Sequence, residues 1–287
     1  MDCCGAGSAA HPEAWLFPND TAPEFRWFWP LDAEVGADGQ VYIFSVEMHE
    51  RGDEYLTRAE PGGTYVARFN PDNWNIEWYG RPANASDDLY GWSIESDDEW
   101  TYLFAQCHRQ FGYDPVFDIG AHDRSCADRV TVGRVPLGRV FDAPTYWNGS
   151  AWSADSSAAV AVIPRSGRFA SPTQIIEKNG RWMAVTKLDD WWGQFVVVES
   201  ARHPTGPYEV VEQRRVSPKC SPGCNTDFSS WIDGQNLGGP NDLLIMSLSH
   251  NRWDGEPSSV YRPSYDLVAP PPDQPTTARR CSLGHCF

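Results

Sequence analysis

The chain has 287 residues, with 23 Lys and Arg against 39 Asp and Glu, so its formal net charge is −16. This surplus of negative charge disfavours nucleic acid and anionic membrane surfaces as partners, because both are bound by clustered basic side chains. The 24 glycines and 23 prolines interrupt every window long enough for a membrane span, a coiled coil or a helical bundle.

Four units with the same order of elements follow one another along the chain: a short strand, a tight turn, an apolar strand, a loop and another apolar strand. The predicted strands are 31–35, 41–46 and 64–69 in unit one, 91–95, 100–107 and 129–135 in unit two, 173–177, 181–187 and 194–200 in unit three, and 227–232, 243–249 and 260–265 in unit four. Asp38-Gly39 and Asn179-Gly180 are typical of hairpin turns. Antiparallel sheets repeated in this way predict an all-β β-propeller, whereas a β-sandwich would not repeat the same triplet.

The propeller domain is predicted to cover residues 1–268, and the Pro-rich segment 269–287 is predicted to be a disordered tail. Four units are compatible with a four-bladed ring or with a five-bladed ring whose first blade lies upstream. No secretion signal follows Met1, which favours the second reading and an N-terminally incomplete domain.

Eight cysteines, several of them close in sequence, predict disulfides and an oxidising, extracellular compartment. The predicted pairs are Cys107 with Cys126 and Cys220 with Cys224, each closing one loop. The alternative, a zinc site, lacks a second Cys or His pair near Cys220 and Cys224. No metal and no cofactor is therefore predicted.

Four motifs occur in a characteristic order along the chain. They are Trp27-Phe28-Trp29-Pro30-Leu31-Asp32-Ala33, then Arg134-Val135-Pro136 with Tyr146-Trp147-Asn148-Gly149 and Trp152, then Arg181-Trp182-Met183, and finally Pro204-Thr205-Gly206-Pro207-Tyr208. Together they resemble the family labelled domain of unknown function 4185, over roughly residues 2 to 263.

This resemblance implies a secreted five-bladed propeller, and some members of that family are endo-D-arabinanases of glycoside hydrolase family 183. The family usually carries a Gly-Asp-Thr motif in its first blade, whose Asp is implied to be an active-site carboxylate. This sequence has no Gly-Asp-Thr. The resemblance therefore implies that the first blade and one active-site carboxylate are missing.

Asp32, Glu34 and Glu47 are the candidate catalytic residues, because glycosidases need two carboxyl groups that flank the scissile bond. Asp32 lies two residues after Pro30 in the inner strand of unit one. Glu34 lies two residues further, on the same face of the strand, where like charge would raise one pKa. Glu47 ends the second strand and is a candidate general acid. The structural alternatives are a turn cap or a pairing with Arg26 for Asp32, and a solvated rim for Glu34.

A second set of polar and aromatic residues is predicted to bind the glycan. The second strands of the four units end in polar residues, which core packing does not require. For each residue a structural role is the alternative: a packed aromatic ring, a structural His, or a Lys paired with a nearby Asp. The predicted binding residues are Trp29, Trp92, Ser93, His108, Gln174, Lys187, Trp192, Asn225, Asp227 and His250.

The sequence thus predicts a secreted glycoside hydrolase that cleaves the D-arabinan of actinobacterial or mycobacterial cell walls by carboxylate acid/base chemistry. The alternatives are a non-catalytic glycan-binding propeller or an inactive truncated homologue. Gly-x-Ser-x-Gly, His-Glu-x-x-His and Gly-rich phosphate loops are absent, which disfavours other hydrolase and nucleotide chemistry. The expected partner is a polysaccharide or an oligosaccharide, with no membrane span, and the protein is expected to be a monomer.

Overall fold

The structure is a computed structural model, and its described part consists of several separate ranges. These ranges are 26–50, 59–73, 75–82, 88–107, 129–164, 173–188, 193–216, 224–232, 244–252, 262–268, 281–282 and 285–286. Within them the chain forms strands and one short 3₁₀ helix, Ser156–Ala158. No helix in these ranges has the length and hydropathy needed to cross a bilayer.

The strands form four antiparallel sheets in chain order, and we call these sheets blades one to four. Blade one contains β1 (Arg26–Val35), β2 (Val41–Glu50), β3 (Ala59–Asn70) and β4 (Asn75–Gly80). Blade two contains β5 (Asp88–Ser96), β6 (Trp100–Cys107), β7 (Arg129–Pro136), β8 (Thr145–Trp147) and β9 (Trp152–Ser153), with β10 (Ile163–Pro164) paired to β7. Blade three contains β11 (Gln174–Lys178), β12 (Arg181–Leu188), β13 (Phe195–Ala201) and β14 (Glu209–Arg215). Blade four contains β15 (Cys224–Ile232), β16 (Leu244–Arg252) and β17 (Arg262–Val268).

Short hairpins connect the first two strands of blades one to three, as the turn residues predict. The turn between β11 and β12 has only two residues, Asn179 and Gly180, with φ angles of 54° and 76°. Positive φ at both positions is the geometry of a type I′ turn, which matches the twist of paired strands. In blade one, the Asp38 carboxylate accepts the Gln40 N–H at 3.1 Å and closes the turn before β2.

The hydrophobic core lies between successive blades, because the two faces of an interior sheet are both covered. One cluster joins blades one and two, a second joins blades two and three, and a third joins blades three and four. Representative members are Phe44 and Val66 with Tyr90 and Leu103 in the first cluster, Phe104 and Val132 with Ile175 and Trp182 in the second, and Met183 and Val185 with Trp231 and Met246 in the third.

Gly91 lies at a close approach of blades one and two. Its φ is +97°, and a Cβ atom built there would lie 2.1 Å from the Phe44 ring. Only glycine combines this left-handed backbone with this proximity at low cost. The inner strand of blade two therefore lies directly against the buried ring of Phe44.

The predicted all-β class and propeller arrangement are confirmed as four blades, and the three predicted strands of each unit are present. Strands β4, β8, β9, β10 and β14 lie outside the three predicted strands of each unit. In β14 most residues are exposed, so the strand lacks the apolar alternation by which strands are recognised. Strands β18 (Cys281–Ser282) and β19 (His285–Cys286) form a hairpin inside the segment 269–287. For the rest of this segment, disorder stays a prediction.

Candidate active site

The inner strands of the four blades lie side by side in the order β1, β5, β11 and β15. Polar side chains of β1 and β5 meet at the junction of blades one and two. We call Asp32, Glu34 and Glu95 the carboxyl cluster. Because the two strands come from neighbouring blades, this cluster brings together residues about sixty positions apart in the chain.

Asp32 is held by hydrogen bonds from both strands. Its Oδ1 accepts the N–H of Ala33 at 2.8 Å, and its Oδ2 accepts the N–H of Ile94 at 2.8 Å and lies 3.4 Å from Ser93 Oγ. Burial raises the pKa of Asp32 to about 6, with a further contribution from the negative charge of Glu95, although the backbone hydrogen bonds oppose the rise. Asp32 is therefore mainly ionised at pH 7 and partly protonated at pH 6.

The pKa of the Glu34 carboxyl group is raised as well. Burial is the largest cause, the charge of Glu95 is the second, and the hydroxyl of Ser96 opposes them by hydrogen bonding; together they raise the pKa of Glu34 to about 7. A carboxyl group with this pKa is protonated in about half of the molecules at neutral pH. Glu34 can therefore act as a proton donor under conditions in which an ordinary glutamate cannot.

Glu95 was not predicted, although a repeated signal in the sequence points to it. In blade one Glu34 pairs across the hairpin with Tyr42, and in blade two Glu95 pairs in the same way with Tyr102. Both tyrosine hydroxyls donate to an Asp in their own turn, at 2.8 Å in each case. Alignment of the two hairpins would have placed Glu95 in the position of Glu34.

The carboxyl cluster predicts that stability decreases as the pH rises. The folded-state pKa values of Asp32 and Glu34 lie above their ordinary values, so the folded state binds these protons more tightly than the unfolded state does. The stability that they contribute is complete below about pH 4 and is lost as the pH rises through 6 and 7. We therefore expect Glu34→Gln to raise the melting temperature at pH 8 relative to the parent, with little difference at pH 4.5.

Thermal unfolding of the two proteins across this pH range measures the effect. The comparison removes the contribution of His250, whose pKa is lowered by burial and whose effect has the opposite sign. A melting-temperature difference that does not change with pH would contradict the raised pKa of Glu34.

Glu47 does not join the carboxyl cluster. Glu47 pairs with Phe28 near one end of the hairpin, whereas Glu34 pairs with Tyr42 near the other end. Glu47 and Tyr42 are five residues apart on β2, which corresponds to about 17 Å along the strand. The Glu47 side chain is 1% exposed and forms an ion pair with Arg81. The structure therefore separates Glu47 from Asp32 and Glu34, and its role as a general acid stays a prediction.

Three of the predicted glycan-binding residues use their polar atoms to connect strands. Ser93 Oγ accepts the N–H of Ile175 at 2.8 Å and lies 2.9 Å from the Ile175 carbonyl oxygen. Gln174 Oε1 accepts the N–H of Trp231 at 2.5 Å. The two ring nitrogens of His250 lie within hydrogen-bond distance of the hydroxyls of Thr226 and Ser264, at 2.9 and 2.7 Å.

The other predicted residues are distributed over the fold. Lys187 is fully buried, Trp92 is packed against Val46 and Leu89, and Trp29 is 39% exposed. For Cys107, Cys224, Asn225 and Asp227 only the strand position is described, in β6 and β15. His108, Trp192, Cys126 and Cys220 lie outside the described residues, so both predicted disulfides and these binding roles stay predictions.

These features define an all-β protein of the four-bladed propeller class with a carboxyl cluster between its first two blades. The chain belongs to the family described as Domain of unknown function (DUF5005), whose model matches residues 4–219. No curated protein sequence matches the chain. The resemblance to domain of unknown function 4185 stays a prediction.

Solved glycoside hydrolases are among the structures that are similar to this chain. The β-fructofuranosidase from Schwanniomyces occidentalis is 9% identical, with a TM-score of 0.51, and the match covers 86% of this chain and 44% of that chain. A thermostable family-43 glycoside hydrolase is 10% identical, with a TM-score of 0.44, and the match covers 90% of this chain and 73% of that chain. The catalytic domain of the Coprinopsis cinerea GH62 α-L-arabinofuranosidase is 9% identical, with a TM-score of 0.43, and the match covers 87% of this chain and 93% of that chain. The chain spans less than half the length of the first of these enzymes, and the likeness shows a glycoside hydrolase-like fold.

Proposed function

We propose that the protein is a secreted glycoside hydrolase that cleaves furanosidic bonds of D-arabinan in bacterial cell walls. The observation that carries the proposal is the carboxyl cluster, in which burial and like charge raise the pKa of Glu34 to about 7. Hydrolysis of a glycosidic bond needs one carboxyl group that is protonated near neutral pH and a second that is ionised. The glycoside hydrolase-like fold supports the reaction class, and the four motifs described above support the choice of arabinan.

In this proposal Glu34 is the general acid and Glu95 supplies the second carboxyl group. Burial and the negative charge of Glu95 keep the proton on Glu34 beforehand. Glu34 gives this proton to the leaving oxygen as the glycosidic C–O bond breaks, water supplies the oxygen of the new bond to the sugar, and Glu95 takes up the proton of that water. Asp32, which the sequence favours for catalysis, has both carboxylate oxygens engaged by backbone N–H groups. We assign the second role to Glu95 because its charge is the second largest cause of the raised pKa of Glu34, so the two carboxyl groups lie close together.

The proposal includes a fifth blade, as the family resemblance implies. Ile232 of β15 and Tyr265 and Leu267 of β17 are 42%, 60% and 59% exposed. Their registers place all three on one face of blade four, and the third core cluster covers the opposite face. An additional sheet packed on this apolar face would continue the series of blade interfaces.

Incubation of the purified protein with D-arabinan tests the function, with released oligosaccharides separated by anion-exchange chromatography. We expect release from D-arabinan and none from cellulose, which lacks furanosidic bonds. The second candidate function is glycan binding without catalysis, which is favoured by the engagement of both Asp32 carboxylate oxygens in backbone hydrogen bonds. Binding of D-arabinan without product release would contradict hydrolysis and support this alternative.

A further inference from the structure

The inner strands of the four blades are connected by one repeated device. In each case a polar side chain of one inner strand accepts a backbone N–H from the inner strand of the next blade. The accepting and donating residues of one inner strand are neighbours in sequence. In blade two, for example, Ser93 accepts an N–H from blade three, and the next residue, Ile94, donates its N–H to blade one. The pairs are Asp32 with Ile94 at 2.8 Å, Ser93 with Ile175 at 2.8 Å, and Gln174 with Trp231 at 2.5 Å.

The first two connections share the hydroxyl group of Ser93. This hydroxyl has one hydrogen and two oxygen atoms within reach, the Ile175 carbonyl at 2.9 Å and Asp32 Oδ2 at 3.4 Å. Ser93 is fully buried, so water does not compete for that hydrogen. An ionised Asp32 attracts the hydrogen away from Ile175, whereas a protonated Asp32 can donate its own hydrogen to Ser93 Oγ.

We propose that Asp32 and Ser93 form a proton-responsive clamp, in which the protonation state of Asp32 in blade one sets the hydrogen bonding of Ile175 in blade three. The clamp differs from the third connection, because Gln174 does not titrate. It goes beyond the proposed hydrolysis, since it concerns the coupling of blades and requires no substrate.

The surroundings of Asp32 place the response at a mildly acidic pH. Among the described residues, Glu95 on β5 is the charged group that disfavours the ionisation of Asp32, and Glu34 is the neighbouring titratable group on β1. Burial also disfavours this ionisation and is the largest cause of the raised pKa of Asp32, about 6. The hydroxyl of Ser93 is thus expected to change its acceptor near pH 6.

Amide chemical shifts of the full chain test the clamp. Selective ¹⁵N labelling of isoleucine and tryptophan makes the N–H groups of Ile94, Ile175 and Trp231 observable, with Ile94→Val and Ile175→Val used for assignment. We expect the Ile94 and Ile175 signals to shift between pH 4.5 and 8 with one common midpoint near 6, and the Trp231 signal to stay constant. The common midpoint near 6 should persist in Glu34→Gln, which excludes Glu34 as its source.

Two variants separate the steps of the clamp. In Asp32→Asn neither isoleucine signal should titrate near pH 6, and in Ser93→Ala only the Ile94 signal should do so. A constant Ile175 signal in the parent protein would overturn the proposal, as would a midpoint that survives in Asp32→Asn. If either variant fails to fold, the parent titration still decides between these results, and activity on arabinan has no influence on it.

Discussion

Hydrolysis of D-arabinan is expected to decrease at least about 100-fold when Glu34 is replaced by Gln, which is the size of effect usual for loss of a general acid. The amide has nearly the same shape as the carboxylic acid but has no acidic proton to give to the leaving oxygen. The substitution also removes the charge repulsion with Glu95, which is the second cause of the raised pKa of Glu34. Binding of the glycan should therefore persist while turnover is lost.

Turnover and binding are measured separately, by product release and by calorimetric titration with an arabinan oligosaccharide. Glu209→Gln is a matched control, because Glu209 is an exposed glutamate at the start of the outer strand β14, away from the carboxyl cluster. The parent should lose activity as the pH rises through about 7, where Glu34 loses its proton. Full activity in Glu34→Gln would exclude Glu34 as the acid.

Trp182→Ala is expected to lower the free energy of unfolding by about 3–5 kcal/mol, the range observed for large aromatic residues removed from a core. The Trp182 side chain is 4% exposed and belongs to the cluster between blades two and three. Its ring lies edge-on to Tyr102 with centroids 5.0 Å apart, and 5.9 Å from Phe104. Removal of the ring leaves both partners facing a cavity.

Urea denaturation followed by circular dichroism measures this loss. Val210→Ala serves as the control, since Val210 is 61% exposed on β14 and its truncation removes little buried surface. A decrease below about 1 kcal/mol for Trp182→Ala would mean that the interface of blades two and three relaxes around the missing ring.

The blades could be predicted from local patterns because each inner hairpin combines a turn signal with two apolar strands. Asn179-Gly180 fixes a two-residue turn, and the buried strand β12 contains the apolar run Trp182-Met183-Ala184-Val185. The outer strands carry no comparable signal. Strand β14 is exposed and charged, and β8 and β9 have only three and two residues. These segments are strands because they pair with a neighbouring strand of the sheet, and their amino-acid composition does not indicate it.

The carboxyl cluster could be predicted only in part. The spacing of Asp32 and Glu34 on one strand indicated a pair, but the approach of Glu95 depends on how β5 packs against β1. The same limit applies to Ser93 and Gln174. Their side chains suggest ligand contacts, whereas in the structure they accept N–H groups from the next blade. A single sequence does not show how the inner strands of neighbouring blades are aligned.

The most direct test of the proposed acid is the titration of the Glu34 carboxyl carbon by ¹³C NMR, with glutamate labelled selectively and Glu34→Gln used for assignment. We expect a midpoint of about 7 in the parent and a lower midpoint in Glu95→Gln, because Glu95 supplies the second largest cause of the shift. A midpoint near 4.5, the ordinary value for a glutamate, would contradict the assignment of Glu34 as a proton donor.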